Sequence, residues 1–172
     1  VQWGDGAQSF ATVLTEPTAG TAGTFSATHL YEDDAPSKGT LFDELTIKVT
    51  IEDDDFGADS ETKKVKVIDQ APRITTMSFD DSDINEGETA TLRGTVSDAG
   101  VHDVLTATLS FNGSTLVLPV SMTGPGTGTF VFTLPVADDE PSSGTPLDNL
   151  RVDVTVEDDD GGLQGGGGRE DV

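Results

Sequence analysis

Residues 23–57 read GTFSATHLYEDDAPSKGTLFDELTIKVTIEDDDFG, and a related stretch occurs again further along the chain. Residues 128–162 read GTFVFTLPVADDEPSSGTPLDNLRVDVTVEDDDGG. The two stretches align without a gap at an offset of 105 residues, from 23 to 128, and 19 of the 35 positions are identical. A period of about 100 residues is the length of one β-sandwich domain and is far too long for a solenoid repeat. The sequence therefore predicts two units of one kind of domain.

Alternation of apolar and polar residues indicates where the strands lie. In residues 45–51 and 150–156 every second side chain is Leu, Ile or Val. This period of two is typical of a β-strand with one buried face. Further strands are predicted at residues 65–67, 74–79, 89–96, 105–111, 116–122 and 130–134, and no segment has a helical period. The predicted fold class is all-β, with tandem immunoglobulin-like β-sandwiches.

The repeat also predicts the domain organisation. Residues 1–71 form the first unit and residues 72–172 the second, which ends in a Gly-rich segment at 161–168 expected to be flexible or loosely paired. In this register the first unit has no counterpart of residues 73–107, and the chain opens with Val-Gln-Trp rather than Met. We expect the first unit to lack its two leading strands unless another segment or another chain supplies them. We also expect the sequence to be an excerpt of a longer polypeptide.

Charge and composition exclude several functional classes. The formal net charge is −23, from 32 acidic and 9 basic residues, and such a surface repels nucleic acid and anionic lipid headgroups. No apolar run of about 18 residues exists that could insert into a membrane. The chain has no Cys and two His, and it contains no nucleophile elbow or phosphate-binding Gly loop. The sequence thus predicts a protein that is not an enzyme.

Acidic residues cluster in the predicted loops and suggest a cation site. On a sandwich of this kind, the loops at 98–103 and 158–160, the acids at 33–34 and the linker at 68–72 should converge where the two units join. Calcium prefers six to eight oxygen ligands from flexible loops. The candidate ligands are Asp33, Asp34, Asp69, Asp98, Asp103, Asp158, Asp159 and Asp160. The alternative is that these acids only keep the protein soluble and protect strand edges from pairing.

Four short motifs of the first unit occur in a familiar order. They are WGDG at 3–6, ATHLY at 27–31, VTIEDDDFG at 49–57 and KVKV at 64–67. Together they resemble the polycystic-kidney-disease (PKD) repeat of large bacterial extracellular proteins, and the similarity covers most of residues 1–69. The resemblance implies a seven-stranded sandwich used as a spacer, stalk or adhesion module. Trp3 would lie in the core, and His29 would be hydrogen-bonded beside Tyr31.

The second unit departs from this pattern. SFNG at 110–113 stands in place of WGDG, and LPV at 134–136 replaces the His-Leu-Tyr segment. INEGET at 84–89 followed by LRGTVSD at 92–98 nevertheless looks like the leading strands of the same extracellular repeats. The departure puts in doubt a role of the WGDG turn that is common to both units.

Three functions follow as expectations. The first is a structural extracellular or cell-surface module of a bacterial protein, rigidified by calcium, whose partners are neighbouring repeats, neighbouring copies of the chain, or cell-surface glycans or proteins. The second is a filament or sheath subunit assembled by strand complementation between chains. The third is a carbohydrate-binding accessory domain of a secreted hydrolase. This third reading is the weakest, because the chain has one Trp and one Tyr, and packing accounts for both.

Overall fold

The computed structural model describes residues 1–33, 39–111, 113–136 and 151–166. Across these ranges the regular secondary structure is β-strand in antiparallel pairs, so the predicted all-β class is confirmed. The described residues contain no helix long and apolar enough to cross a membrane. The chain divides into two compact units, Val1–Ile68 and Asp69–Val172, and the boundary lies three residues before the position taken from the sequence.

The first unit contains two small sheets. Strands β1 (Thr12–Thr15) and β2 (Thr24–Ser26) form one pair, and β3 (Phe42–Glu52) and β4 (Ala58–Ile68) form the other. The β3–β4 hairpin is regular, since all eleven residues of each strand pair from Phe42↔Ile68 to Glu52↔Ala58. Among the described residues of this unit, Trp3 and Leu45 are the buried apolar side chains.

The second unit is a sandwich of two four-stranded sheets. Its strands are β5 (Arg73–Phe79), β6 (Thr89–Ser97), β7 (Thr106–Phe111), β8 (Ser114–Pro119), β9 (Ser121–Gly124), β10 (Thr127–Pro135), β11 (Asp153–Glu157) and β12 (Leu163–Gly166). The strand orders are β5-β6-β10-β9 and β12-β11-β7-β8. In the lettering of immunoglobulin sandwiches these orders correspond to A-B-E-D and G-F-C-C′. The loops after β6 and after β11 are then the B–C and F–G loops, which share one end of such a sandwich.

The core of the second unit lies between its sheets. Alternate residues of β6 and β10 are buried, as the period of two requires, and the two strands pair over nine positions. The buried cluster consists of Phe79, Ala90, Leu92, Val96, Leu105, Ala107, Leu109, Val120, Phe130, Phe132, Leu134, Val152, Val154 and Val156. Burial of this size supports a stable, independently packed sandwich.

One predicted strand is wrong in its extent. Residues 116–122 do not form one strand, because β8 pairs with β7 in one sheet whereas β9 pairs with β10 in the other. Pro119 has no N–H with which to continue the ladder, and Val120 turns into the core as the chain changes sheet. At the other end of the unit, Leu163–Gly166 of the Gly-rich segment pairs with β11.

Candidate metal centre

Three aspartates of the second unit converge at one end of the sandwich. Asp69 begins the unit, Asp103 lies in the loop between β6 and β7, and Asp158 directly follows β11. A carboxylate oxygen from each lies within 4.8 Å of those from the other two. Calcium–oxygen distances are about 2.4 Å, so oxygens on opposite sides of one ion are about 4.8 Å apart. A single calcium ion can therefore contact all three carboxylates.

Backbone hydrogen bonds fix the orientation of Asp158. Its Oδ1 accepts from the N–H of Gly162 at 2.7 Å and from the N–H of Asp160 at 3.1 Å. The two loops are joined by the N–H of Val104, which donates to Asp159 Oδ1 at 2.7 Å. These hydrogen bonds to Oδ1 fix the orientation of the carboxylate, so its second oxygen, Oδ2, can contact another partner.

That second oxygen is buried without a hydrogen-bond donor. Asp158 and Asp103 each retain only 6% of their accessible surface. Asp158 Oδ2 and Asp98 Oδ2 are both buried and have no hydrogen-bond partner. Leaving a buried carboxylate oxygen unpaired is costly, and native proteins normally supply a partner. A bound cation would be such a partner for Asp158, whose carboxylate belongs to the converging group.

The repulsion among these carboxylates also favours a bound cation. Burial raises the pKa of Asp69 to about 6, and repulsion from Asp158, Asp98 and Asp160 adds to the rise. Burial also raises the pKa of Asp98, and the charge of Asp158 contributes in the same sense. The carboxylates therefore destabilise one another when all are charged, and either protons or a cation relieves the repulsion.

Two glycines make room for the carboxylates. A Cβ on Gly162 would collide with Asp158 Oδ2 and would lie 2.6 Å from Asp69 Oδ2. A Cβ on Gly100 would collide with the carboxylate of Asp103. Sequence reasoning missed both residues. In each loop a Gly lies two to four residues after an Asp, at Gly100 after Asp98 and at Gly162 after Asp158, and this spacing could have indicated them. The sequence does not reveal, however, which glycine a carboxylate approaches.

The structure brings together five of the eight candidate ligands. Carboxylate oxygens of Asp69, Asp103 and Asp158 converge as described, and an oxygen of Asp160 lies within 4.8 Å of an oxygen of Asp103. The charge of Asp98 contributes to the raised pKa of Asp69. Asp159 belongs to the same loop, with Oδ1 engaged by Val104. Of the remaining two candidates, Asp33 belongs to the first unit, and Asp34 lies outside the described residues.

The donor set defines the kind of ion that fits. The converging atoms are all carboxylate oxygens, which are the ligands of hard divalent cations. Zinc sites typically draw on Cys sulfur and His nitrogen, and the chain has no Cys. Loops that supply several carboxylates suit the large, variable coordination shell of calcium better than the strict octahedron of magnesium. Calcium is therefore the ion that these residues fit best.

The first unit contains a second version of the same loop. Asp53 Oδ1 accepts from the N–H of Gly57 at 2.7 Å and from the N–H of Asp55 at 3.1 Å, as Asp158 does with Gly162 and Asp160. Here, however, Asp53, Asp54 and Asp55 are exposed. The loop geometry is thus a property of the repeated sequence, whereas the burial at Asp158 comes from neighbouring segments of the second unit.

An aromatic cluster in the first unit has a packing role. Trp3 stacks on His29 with ring centroids 5.1 Å apart, and its Nε1 donates to Ser9 Oγ at 2.9 Å. His29 Nε2 lies 2.6 Å from Asp5 Oδ2, and the Tyr31 hydroxyl donates to the carbonyl of Trp3 at 2.9 Å. These contacts join the turn at 3–6 to the segment at 27–31, as expected for Trp3 and His29 from the sequence.

No protein-family model matches the chain, and no curated protein matches it.

Proposed function

We propose that this chain is a non-catalytic structural module of an extracellular repeat protein, a stalk, spacer or adhesion array, whose second unit is rigidified by calcium. The site consists of Asp69, Asp98, Asp103, Asp158 and Asp160. The PKD-like motifs and the repeat agree with such a module, and its partners are neighbouring repeats or neighbouring copies of the chain.

One observation carries the proposal. Asp158 is buried with Oδ1 held by two backbone N–H groups and Oδ2 unpartnered, and carboxylate oxygens of Asp69 and Asp103 lie within 4.8 Å of its own. Acids that only keep a protein soluble remain exposed to water, where their charge is solvated. A buried carboxylate oxygen without a donor, beside converging carboxylates, is explained more simply as part of a ligand set.

Calcium would stiffen the unit by cross-linking its loops. Asp69 precedes β5, Asp98 and Asp103 lie between β6 and β7, and Asp158 and Asp160 lie between β11 and β12. One ion would therefore tie the start of the chain in this unit to both sheets. We expect a dissociation constant of about 0.1–1 mM, the range in which extracellular modules bind calcium.

Calorimetric titration of the EDTA-treated chain with Ca²⁺ tests the proposal. We expect saturable binding and a melting temperature of the second unit that rises with calcium concentration, because the ion binds the folded state. Mg²⁺ at the same concentration is the matched control and should give a smaller shift. Absence of binding heat together with an unchanged melt at millimolar Ca²⁺ would overturn the calcium assignment.

A further inference from the structure

One side of the second unit carries no charged side chain. Residues 104–137 contain no Asp, Glu, Lys or Arg, although 24% of the whole chain is charged. This stretch includes β8 and β9, which are edge strands of the two sheets. Only Val120 separates β8 from β9 along the chain, so both edges lie on the same side of the sandwich. The net charge of −23 comes entirely from the rest of the chain.

The core is incompletely covered along this uncharged side. Leu116 pairs with the buried Leu109, and Met122 pairs with the buried Gly128, so both side chains lie on the inward faces of their sheets. They are nevertheless 40% and 43% exposed. Val117, on the outer face of β8, is 56% exposed. A strand added beside β8 would therefore bury apolar surface on both of its faces.

The edge of β8 also has backbone groups directed outward. The N–H of Val120 donates to the carbonyl of Leu105 at 2.9 Å, and in an antiparallel ladder such bonded positions alternate along the strand. The N–H and C=O groups of Thr115 and Val117 therefore point away from β7, and among the described residues no other strand pairs with this edge. Natural edge strands are usually protected by charged residues, whereas β8 contains none.

We propose that β8 is an interaction surface for a second copy of this chain, through antiparallel pairing of the two β8 strands about a two-fold axis. The register that uses all the outward groups pairs Thr115 of each copy with Val117 of the other. The two Leu116 residues then lie directly opposite each other as a non-hydrogen-bonded pair.

The charge distribution favours a second copy as the partner. Two molecules with a net charge of −23 repel each other over most of their surface, and repulsion is weakest where both present an uncharged side. A cationic partner would instead be attracted to the acidic parts of the surface. The interface is small, so association should be weak and concentration-dependent. The inference rests on the proposal above that neighbouring copies are partners, but it does not depend on calcium.

Sedimentation velocity of the full chain in EDTA tests the pairing. We expect a reversible dimer that is favoured at high salt, because screening reduces the repulsion between copies. Val117→Pro should weaken association by about tenfold or more, since it removes an outward N–H from each copy and leaves the ladder to β7 intact. Val117→Thr keeps this N–H and is the matched control, which should associate nearly as the wild type does. Melts in dilute solution check that both variants remain folded.

A cysteine variant tests the register separately. The chain has no Cys, and opposite residues of a non-hydrogen-bonded pair are about 4.5 Å apart between Cα atoms, within the range of a disulfide. With oxidised glutathione in EDTA, Leu116→Cys should form a disulfide-linked dimer at least about tenfold faster than Val131→Cys. Val131 is a suitable control, because it is 42% exposed and lies on β10, which is not an edge strand.

Two results would overturn the inference. One is a chain that stays monomeric at high concentration and high salt. The other is a dimer that Val117→Pro does not weaken and whose two cysteine variants cross-link at equal rates. Either result would leave the calcium titration unchanged, because all of these measurements are made in EDTA.

Discussion

The carboxylate of Asp158 has one oxygen bound by backbone N–H groups and the other buried without a donor. Asp53 forms the same two backbone hydrogen bonds but is exposed. The repeat therefore supplies an internal control for every substitution in this loop. Differences between the two positions report on the surroundings, since the local geometry is shared.

Asp158→Asn should weaken calcium binding by about tenfold or more, because affinity depends on the number of charged ligands. In EDTA the same variant should melt at the same or a higher temperature, since one repelling charge is removed and the amide oxygen can still accept the backbone hydrogen bonds. Titration calorimetry and paired melts measure both effects. Asp53→Asn is the control and should change neither the calcium affinity nor the melting temperature in EDTA. A loss of stability in EDTA for Asp158→Asn would indicate instead that this carboxylate has a purely structural role.

Gly162→Ala should also reduce calcium affinity by about tenfold or more, because its Cβ would displace Asp158 Oδ2 and Asp69 Oδ2. Gly57→Ala is the matched control. Its Cβ would meet Asp53 Oδ2 at 2.7 Å, but this carboxylate is exposed and can move aside. Titration calorimetry compares the two variants, and equal affinities would contradict the role of Gly162.

The pH dependence of the metal-free protein should depend on Asp69. Its folded-state pKa of about 6 lies above the ordinary value of 3.8, so the folded state binds the proton more tightly than the unfolded state. In EDTA the stability of the second unit should therefore increase as the pH falls from about 7.5 to 5, and saturating calcium should abolish this gain. Asp69→Asn should flatten the dependence. Calorimetric melts across this range measure it, and an identical slope in wild type and variant would refute the assignment.

At the scale of the elements, alternation found the strands whose one face is buried. In five strands, alternate residues are buried or partly buried, as the pattern requires; these are β3, β6, β7, β10 and β11. β1 and β2 were missed, because all their residues are exposed and no burial period distinguishes them. The break between β8 and β9 was missed as well. Pro119 was the available signal, but apolar residues continue on both sides of it.

For the candidate site, the sequence predicted which loops meet but not how their side chains pack. Loop position on a sandwich placed Asp98, Asp103 and Asp158 at one end, because that topology brings the loops together. The sequence could not show which oxygens are buried without a donor, since this depends on side-chain packing around them. The close approach of carboxylates to Gly100 and Gly162 is likewise a tertiary property.

Strands β2 and β10 allow a direct test of burial. Phe130→Ala should destabilise the second unit by about 3–5 kcal/mol, the usual cost of emptying a core Phe site. Phe25→Ala should cost the first unit about 1 kcal/mol or less, because the ring is already partly in water. Chemical denaturation, followed by Trp3 fluorescence for the first unit and by circular dichroism for the second, measures both. Similar losses would contradict the difference in packing.

At the scale of the whole molecule, the two units share a sequence pattern but have very different cores. The second unit buries an extensive apolar cluster, whereas the described part of the first unit buries Trp3 and Leu45. Since stability grows with buried apolar area, the units should differ in stability even though their repeated loops agree in detail.

Calorimetry of the full chain should therefore give two transitions. Trp3 fluorescence should follow the first, at the lower temperature, and calcium should shift only the second, because the described site belongs to the second unit. The comparison requires scans in EDTA and in millimolar Ca²⁺ by both methods. One coincident transition, or an equal calcium shift of the Trp3 signal, would contradict independent unfolding.

Asp69 is the first residue of the second unit, and β5, which follows it, is the outermost strand of its sheet. In the stalk that we propose, tension would enter the unit at this residue and would peel β5 away from β6 one hydrogen bond at a time. An ion held between Asp69 and Asp158 would divert the load past β5 to the end of β11, in the opposite sheet. The two sheets would then have to shear past each other, rather than β5 detaching from the edge of its sheet. The same carboxylates would therefore set the force at which the unit unfolds.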